Sequence, residues 1–208
     1  MDIILSSISQ GLLWSVMAIG VYLTFRILDI ADMTAEGSYP LGAAVCATGI
    51  VNGLNPFLAT FLAMIAGMGA GLISGLLHTK LKIPALLTGI VTLTGLYSIN
   101  LKILGKANVA LLKQETLVTQ LQDFGLAKTN AVLVIGIIFV LAVVGVLTLL
   151  LNTQIGLAIR STGDNIPMSE ANGINVDRMK IYGYMISNGL IALCGALLTQ
   201  NNGYADLN

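Results

Sequence analysis

Three carboxylates are grouped in the stretch RILDIADMTAEGSYP, at Asp29, Asp32 and Glu36. Their spacing of three and four residues would place them on one face of a helix, where they could form a cation site or a proton relay. The stretch lies just outside an apolar run, so solvated acids are the commoner explanation. In that interpretation Asp32 or Thr34 caps the helix that follows.

The sequence contains no known pattern for catalysis or metal binding. Its single histidine, His78, lies in a basic turn beside Lys80, and no Gly-x-Ser-x-Gly, His-Glu-x-x-His or phosphate-cradling loop occurs. Cys46 and Cys194 fall in apolar segments without paired-cysteine spacing, which is typical of small core residues. We therefore expect no enzyme, no metal or cofactor, and no nucleic-acid partner.

The composition is that of an integral membrane protein. The chain has 208 residues, 56% hydrophobic and 10% charged, with mean hydropathy +0.88 and net charge zero. A helix needs about 20 apolar residues to cross the hydrocarbon core of a bilayer. The charge-free runs allow six crossings or near-crossings, at 3–25, 38–52, 56–77, 83–103, 130–152 and 179–200. We predict an all-α, polytopic transmembrane helix bundle, with residues 1–208 as one transmembrane domain.

The second of these segments, 38–52, is short for a full crossing. It carries Pro40 near its start, where proline is tolerated, and the turn signal NGLNP follows it. The segment either crosses, tilted or short, or is re-entrant. This choice decides on which side of the membrane the N-terminus lies.

Basic residues in short loops predict the orientation of the bundle. His78, Lys80 and Lys82 lie in one short turn, and Arg160, Arg178 and Lys180 lie in or beside another. Both loops are therefore expected in the cytoplasm. The N-terminus is then outside if the segment 38–52 crosses, and inside if it is re-entrant.

Small residues recur every four positions in the third segment, at Ala59, Ala63, Gly67, Gly71 and Gly75. They share one helical face, which another helix can approach closely. We predict Gly67, Gly71 and Gly75 as helix-packing positions. Static packing is the commoner interpretation, and a sliding surface in a protein that changes shape is the alternative.

Polar side chains within the spans are the candidates for a translocation pathway. Thr88 and Thr92 share one face of the fourth segment, although such hydroxyls can also bond to carbonyls of their own helix. An amide in lipid needs a partner, which makes Asn100 and Asn188 the stronger candidates. The predicted pathway residues are Thr88, Thr92, Ser98, Asn100 and Asn188. No acid falls deep within a predicted span, which argues against a proton-coupled pump.

The stretch GDNIPMSEANGINVDRMKI, which begins at residue 163, interrupts the apolar sequence with charged residues. Pro167 fits the first position of a short helix capped by Asp164 or Asn165, and Gly173 is a stop signal. A second helix can begin two residues later and continue into the last span. The short helix is expected to lie across the cytoplasmic face, against the rest of the protein or a partner.

This part of the chain, residues 155–198, resembles the conserved-loop region of the permeases of bacterial ABC importers of the branched-chain amino acid and ribose type. The skeleton G-x-A-x-R…N…A…G-I-N-V-D-R-x-K is carried by Gly156, Ala158, Arg160, Asn165, Ala171, Gly173, Ile174, Asn175, Val176, Asp177, Arg178 and Lys180. In that family the loop docks on the cytoplasmic ATPase. The resemblance implies that residues 153–178 form a coupling loop. Its expected contacts or internal braces are Arg160, Asn165, Glu170, Gly173, Ile174, Asp177 and Arg178.

Two further stretches, LTFRILDIADMTAEGSYPLGAAV and HTKLKIPALLTGIVTLTGLYSINLKILG, are similar to a subgroup of these permeases. The binding proteins of some members of that subgroup take tryptophan or tyrosine. The resemblance implies uptake of a small polar solute, with an aromatic amino acid favoured, across the bacterial inner membrane. Family members usually continue beyond GYADLN with further membrane segments, so the chain is expected to lack C-terminal segments of the family.

The resemblance also implies partners. These are a second permease copy in a homodimer, two cytoplasmic ATP-binding subunits, an extracytoplasmic solute-binding protein and the lipid bilayer. ATP would be hydrolysed by the separate ATPase. The alternative is an ion-gradient-driven secondary transporter or channel, for which the acids at 29–36 are the available coupling-ion ligands. A membrane scaffold that transports nothing ranks last, because polar residues lie within the spans.

Overall fold

The computed structural model of the protein describes residues 2–106, 108–111, 114–123, 125 and 127–206. These residues form helices almost throughout, with one short two-stranded sheet. The helices are α1 Asp2–Tyr22, α2 Ala35–Val51, α3 Pro56–Lys80, α4 Ala85–Leu104, α5 Leu117–Asp123, α6 Lys128–Leu151, α7 Gln154–Asp164, α8 Ile166–Ala171 and α9 Val176–Asn202. The strands are β1 Asn108–Ala110 and β2 Tyr204–Asp206, and a π-helical turn, Leu23–Ile27, extends α1.

Five helices in the described part of the chain are long and apolar enough to cross a membrane. They are α1 with its π-helical turn, α3, α4, α6 and α9. The all-α, polytopic bundle predicted from the sequence is therefore confirmed. The sixth predicted segment corresponds to α2, whose 17 residues are fewer than the about 20 that a straight crossing needs.

The residues between α2 and α3 each have a conformation or a hydrogen bond that favours a turn. Gly53 takes a left-handed conformation with φ +84°, which glycine adopts without a steric penalty. The Asn55 side chain then accepts a hydrogen bond of 2.9 Å from the backbone N–H of Phe57, while Pro56 occupies the first turn of α3. One helix therefore ends and the next begins within four residues.

The centre of the bundle is α9, in which every residue from Ser187 to Gln200 is buried. Helices α1, α2 and α3 pack directly against it, α4 packs mainly on α2, and α6 packs mainly on α1. The four-residue repeat of small side chains on α3 faces α9. A Cβ at Gly71 would overlap the carbonyl oxygen of Tyr184, and one at Gly75 would lie 3.0 Å from the Cα of Ile181. Close contact between the two backbones depends on these glycines.

The two ends of the bundle differ in their loops. Because α3 and α9 are antiparallel, one end collects the residues Arg26, His78, Lys80, Lys82, Arg160, Arg178 and Lys180, and we call it the basic end. At the opposite end β1 pairs antiparallel with β2, with Val109 opposite Ala205. We call this the hairpin end as a label only, since β1 and β2 are joined through α5 to α9 and not by a turn. Gln200 anchors the connection there, since its side-chain oxygen accepts a 3.0 Å hydrogen bond from the backbone N–H of Leu117.

Residues 28–51 pass from the basic end to the hairpin end. Leu28 contacts α9 at Gly183, and Cys46 accepts a 3.3 Å hydrogen bond from Gln200. The 17 residues of α9 between those points correspond to about 26 Å of helix. The segment therefore crosses and is not re-entrant, and the first residues of α1 lie at the hairpin end.

Candidate functional site

Asp32 is buried at the middle of the bundle, with 2% of its surface exposed. One carboxylate oxygen accepts a 2.9 Å hydrogen bond from the backbone N–H of Thr34, and the other accepts a 2.7 Å bond from the side-chain amide of Asn188. Asn188 lies 12 residues after the start of α9 and 14 before its end. Asp32 thus joins the beginning of α2 to the midpoint of α9.

The expectation that all three acids are solvated was wrong for Asp32, which is buried. The α1 helix ends before Leu28, Asp29 takes a left-handed conformation with φ +54°, and the chain then turns back into the bundle without forming a helix. Asp29 and Glu36 remain exposed. No acid falls within the predicted spans, but Asp32 lies inside the bundle all the same, because the non-helical residues before α2 enter it.

Further hydrogen bonds extend from Asp32 into a polar cluster, defined here as Asp32, Thr34, Ser38, Ser74, Tyr184 and Asn188. Ser38 donates to the side-chain oxygen of Asn188 over 2.6 Å. The hydroxyls of Thr34 and Ser74 are 2.8 Å apart, which links α2 to α3. All six residues are buried. The cluster therefore holds the three central helices together through polar contacts, where packing of apolar side chains would be usual.

Two atoms at or near the cluster have no hydrogen-bond partner within the described residues, the hydroxyl of Tyr184 and the side-chain oxygen of Asn100. The Tyr184 ring lies 6.0 Å from the ring of His78. The side-chain nitrogen of Asn100 donates to the Gly37 carbonyl over 3.3 Å, and its side-chain oxygen makes no hydrogen bond to the described residues. Buried polar groups are normally paired. These two atoms can bind water or a polar solute.

The geometry around Asp32 is typical of transport proteins. A helix that begins midway through a bundle leaves non-helical backbone at membrane depth, which is tolerated only where it is buried in protein or lines a cavity. An ionisable residue at that depth is a functional-site candidate. The positive end of the α2 dipole and neutral donors stabilise the Asp32 carboxylate, and no ion pair joins it to another described residue.

The predicted pathway residues do not all lie together. Asn188 belongs to the polar cluster, and Asn100 contacts α2 one residue before Ser38. Thr88 and Thr92 are buried beside the non-helical stretch before α2, with hydroxyls directed at the carbonyls of Ile83, at 3.4 Å, and of Thr88, at 2.9 Å. Ser98 lies on the exposed face of α4, away from the cluster.

Sequence reasoning considered Asp32 only as one of three clustered acids and Thr34 only as a helix cap, and it did not select Ser38 or Ser74. The shortness of the second predicted segment could have indicated these residues. Since the 17 helical residues of α2 are fewer than a straight crossing needs, the polar residues before them complete the crossing inside the bundle. Thr34 and Ser38 are also spaced four apart, on one face of the entering helix.

The loop at 153–178 contains two helices. Asn165 caps α8, its side chain accepting a 3.0 Å hydrogen bond from the backbone N–H of Met168, and Gly173 follows the helix with φ +77°. Asn175 caps α9 by accepting a 3.1 Å bond from Arg178. The short helix and the second helix start are confirmed, with Asn165 rather than Asp164 as the cap. An additional helix, α7, precedes them.

One side of this loop is packed against the bundle. A Cβ at Gly163 of α7 would overlap the Ile27 carbonyl at the end of α1. Ile159, also on α7, is fully buried in a cluster with Leu28 and Tyr184. A pocket of about 230 Å³ lies beside this contact, between Asp29 and the loop. Residues of α7 therefore lie against Leu28, at the start of the non-helical stretch before α2, and against Tyr184 of the polar cluster.

The other side of the loop is exposed. Met168 is 61% exposed and Ile166 40% exposed on α8. Among the predicted coupling residues Ile174 is half-buried, and the exposed ones are Arg160, Asn165, Glu170, Gly173, Asp177 and Arg178. No ion pair joins these charged side chains within the described residues. Asn165 braces the loop as the cap of α8, and the role of the charged side chains stays a prediction.

Residues 3–208 match the family described as branched-chain amino acid transport system, permease component. The chain is 43% identical over 205 residues to a tyrosine transport system permease protein of Clostridioides difficile, covering 99% of this chain and 67% of that protein. It is 36% identical over 208 residues to an uncharacterized protein of Rickettsia prowazekii, covering all of this chain and 71% of the relative. No solved structure matches the chain significantly.

Proposed function

Because the chain belongs to the family of branched-chain amino acid transport system permease components, we propose that it is the membrane-spanning permease of an ATP-driven ABC importer. The importer lies in the bacterial inner membrane and moves an amino acid inward, with tyrosine or tryptophan favoured. The printed name of the tyrosine permease relative supports that substrate. The permease is a transport subunit, and a separate ATPase hydrolyses ATP.

The observation that carries this proposal is the short helix α8 at the basic end. Asn165 caps the start of α8, and the helix ends before Gly173. The side chains of Met168 and Glu170 are exposed. An exposed apolar side chain surrounded by charges is typical of a surface that binds another protein. We assign residues 153–178 as the coupling loop, with Arg160, Asp177 and Arg178 around the contact.

The coupling mechanism follows from the contacts of α7. Closure of the ATPase dimer displaces α8, and α7 transmits the displacement to the end of α1 through Gly163 and Ile27. Ile159 contacts Tyr184 on α9, so the same motion reaches the polar cluster. The cluster joins α2 to α9 by a few hydrogen bonds, each worth about 1 kcal/mol, and about 1.5–3 kcal/mol where the carboxylate takes part. Breaking and remaking these bonds switches the side on which the solute path is open.

The solute path passes the polar cluster and the neighbouring polar side chains of α4. Asn188 and Asn100 provide amide groups there, and Thr88 and Thr92 lie beside the non-helical stretch before α2. Ser98 faces outward on α4, where a second permease copy completes the transporter. A solute-binding protein delivers the amino acid at the hairpin end, which basic-residue bias places outside the cell.

The test is copurification with the ATPase expressed beside this chain, followed by ATP turnover in lipid discs. We expect Arg160→Ala and Glu170→Ala to weaken the complex by about tenfold or to uncouple hydrolysis from the binding protein, because each removes an exposed charged contact. Lys106→Ala and Asp123→Ala are the controls, since both are exposed at the hairpin end. A folded chain that binds no ATPase would contradict the proposal.

One observation favours the alternative of an ion-gradient-driven transporter, the buried carboxylate of Asp32. Such a transporter needs an ionisable group at membrane depth. Its uptake would continue after ATP depletion and stop when the ion gradient is dissipated. Uptake by the importer would stop after ATP depletion and continue when the ion gradient is dissipated.

A further inference from the structure

Asp32 is the sole buried charged side chain among the described residues, and none of them forms an ion pair with it. A carboxylate taken out of water is normally paired with a cation, because neutral donors replace only part of its hydration. The positive end of the α2 dipole is equivalent to about half a unit charge, which leaves the site negative. The middle of the bundle therefore contains a carboxylate that is only partly neutralised.

The donors around Asp32 are already in use. The N–H of Thr34 and the amide of Asn188 donate to its two oxygens, over 2.9 and 2.7 Å, and the Thr34 hydroxyl is a third donor. A carboxylate has about four acceptor positions, so at least one position stays open. Ser38 donates to the side-chain oxygen of Asn188 and is not available to Asp32. The polar cluster therefore has more acceptor positions than donors.

The unpartnered atoms near Asp32 show the same excess of acceptors. The Tyr184 hydroxyl and the Asn100 side-chain oxygen are buried without a hydrogen-bond partner among the described residues, and both can accept. The Tyr184 hydroxyl is close enough to Asp32 to interact with its charge. The nitrogen of Asn188 that donates to Asp32 also donates to the Tyr184 carbonyl, over 2.9 Å. An acceptor without a donor beside a carboxylate without a cation matches a cationic group that carries several N–H donors.

An ammonium group has this chemistry, since it combines one positive charge with three N–H donors and has no acceptor. A metal ion fits less well, because the described residues contain no group of three or more acids, histidines or cysteines that could hold one. His78 acts on Asp32 through its charge, but its ring nitrogen bonds to the Ile83 carbonyl, at 2.8 Å, and not to the carboxylate.

We propose that Asp32 binds the ammonium group of the transported amino acid and so selects solutes that carry one. In the described conformation the Asn188 amide occupies one oxygen of Asp32. When α2 and α9 separate, the ammonium group takes the place of that amide, and the Tyr184 hydroxyl accepts another of its N–H groups. The solute and Asn188 therefore compete for the same carboxylate. This inference rests on the proposed transport of an amino acid.

Three ring compounds separate the charged groups of an amino acid in the test. L-tyrosine and tyramine carry the ammonium group, and 3-(4-hydroxyphenyl)propionate lacks it. Equilibrium dialysis measures the binding of each compound to the purified full chain in discs of neutral lipid, with empty discs as the blank and choline as the only buffer cation. We expect both amines to bind at least about tenfold more tightly than the propionate, because they alone donate to the buried carboxylate.

Substitutions at the two ends of one hydrogen bond separate binding from folding. Asp32→Asn removes the charge at nearly constant shape and should make the three compounds bind equally. Asp29→Asn and Glu36→Gln are matched controls from the same stretch, since both side chains are exposed, and both should keep the preference. Asn188→Ala removes the competing donor and should keep the preference or widen it. A purely structural role of this bond predicts instead that both variants lose binding of every compound.

Equal binding of the amines and the propionate to the unaltered chain would overturn the inference, as would the absence of saturable tyrosine binding. A preference that survives Asp32→Asn, or one that is lost in Asn188→Ala, would also overturn it. Tyrosine binding that requires sodium or potassium in place of choline would assign Asp32 to a metal cation and would equally contradict the proposal.

The same preparation is tested for its ATPase complex, so that the two proposals can fail separately. If the complex forms and is coupled while the preference for amines is absent, the assignment of Asp32 fails and the proposed importer stands. If the preference depends on Asp32 and no ATPase associates, the importer fails and the ammonium site stands.

Discussion

Among single residues, Asp32 has the strongest influence on how the bundle is held together. Its carboxylate satisfies a backbone N–H at the start of α2 and an amide of α9, two donors that water does not reach. The Asn188 amide also donates to the Tyr184 carbonyl over 2.9 Å, so one of its two N–H groups depends on Asp32. The residue therefore has a structural role that is separate from any role in transport.

We expect Asp32→Ala to lower the free energy of unfolding by about 2–3 kcal/mol, because the N–H of Thr34 and the amide of Asn188 lose their acceptor. Asp32→Asn should cost less, since one oxygen remains for Thr34. Glu36→Ala is the control, because Glu36 is exposed and should change stability by at most about 0.5 kcal/mol. Denaturant unfolding in detergent measures all three. Equal stability of Asp32→Ala and the control would contradict this role.

Among the described elements, the contact of α3 with α9 is the most extensive in the bundle. Gly71 and Gly69 lie on the same helix, two residues apart, and face in different directions. A Cβ at Gly71 would overlap the Tyr184 carbonyl, whereas one at Gly69 would have nothing within 4 Å. The pair therefore separates the effect of packing from the effect of helix propensity.

We expect Gly71→Ala to destabilise the protein by about 1–3 kcal/mol, because the backbone of α9 must move to make room. Gly69→Ala should be neutral or stabilising by up to about 1 kcal/mol, since alanine is the better helix former. Thermal unfolding in detergent gives the comparison. A neutral Gly71→Ala variant would show that α3 and α9 can separate without cost.

Some of these elements could be predicted from the sequence and others could not. Asn165, Gly173 and Asn175 act locally, so the signals for α8 and for the start of α9 were visible in the sequence. The four-residue repeat on α3 indicated its packing face. The burial of Asp32 could not be predicted, because it depends on where the chain re-enters the bundle after α1. The outward direction of Ser98 depends on which neighbours surround α4.

For the whole molecule, the path of residues 28–51 decides the topology. A crossing second segment places the 52–55 turn at the same end as the first residues of α1. Because basic residues in short loops are expected on the cytoplasmic side, we propose that the basic end faces the cytoplasm and the hairpin end faces outward. In that orientation the proposed coupling loop, residues 153–178, and the strand pair β1–β2 lie on opposite sides of the membrane.

Labelling with a membrane-impermeant maleimide in intact cells tests this topology. We expect Leu54→Cys, in the turn before α3, to react from outside, and Leu81→Cys, after α3, to react only after permeabilisation. Both positions are exposed, at 42% and 65%. The native Cys46 and Cys194 are fully buried and should not react. Labelling of Leu54→Cys only after permeabilisation would mean that the 52–55 turn lies inside.

The π-helical turn at the end of α1 has a mechanical consequence. Its last bond runs from the N–H of Leu28 to the carbonyl of Leu23, five residues back, at 3.1 Å, and beyond the turn the N–H of Ile30 bonds to the carbonyl of Thr24, at 2.9 Å. A π turn holds one residue more than an α-helical turn closed by bonds between residues four apart. The C-terminal end of α1 can therefore rewind if a backbone N–H exchanges its bond to the carbonyl five residues back for a bond to the carbonyl four residues back. Such a screw motion would turn Ile27 against Gly163 while Trp14, three turns higher, stays in place.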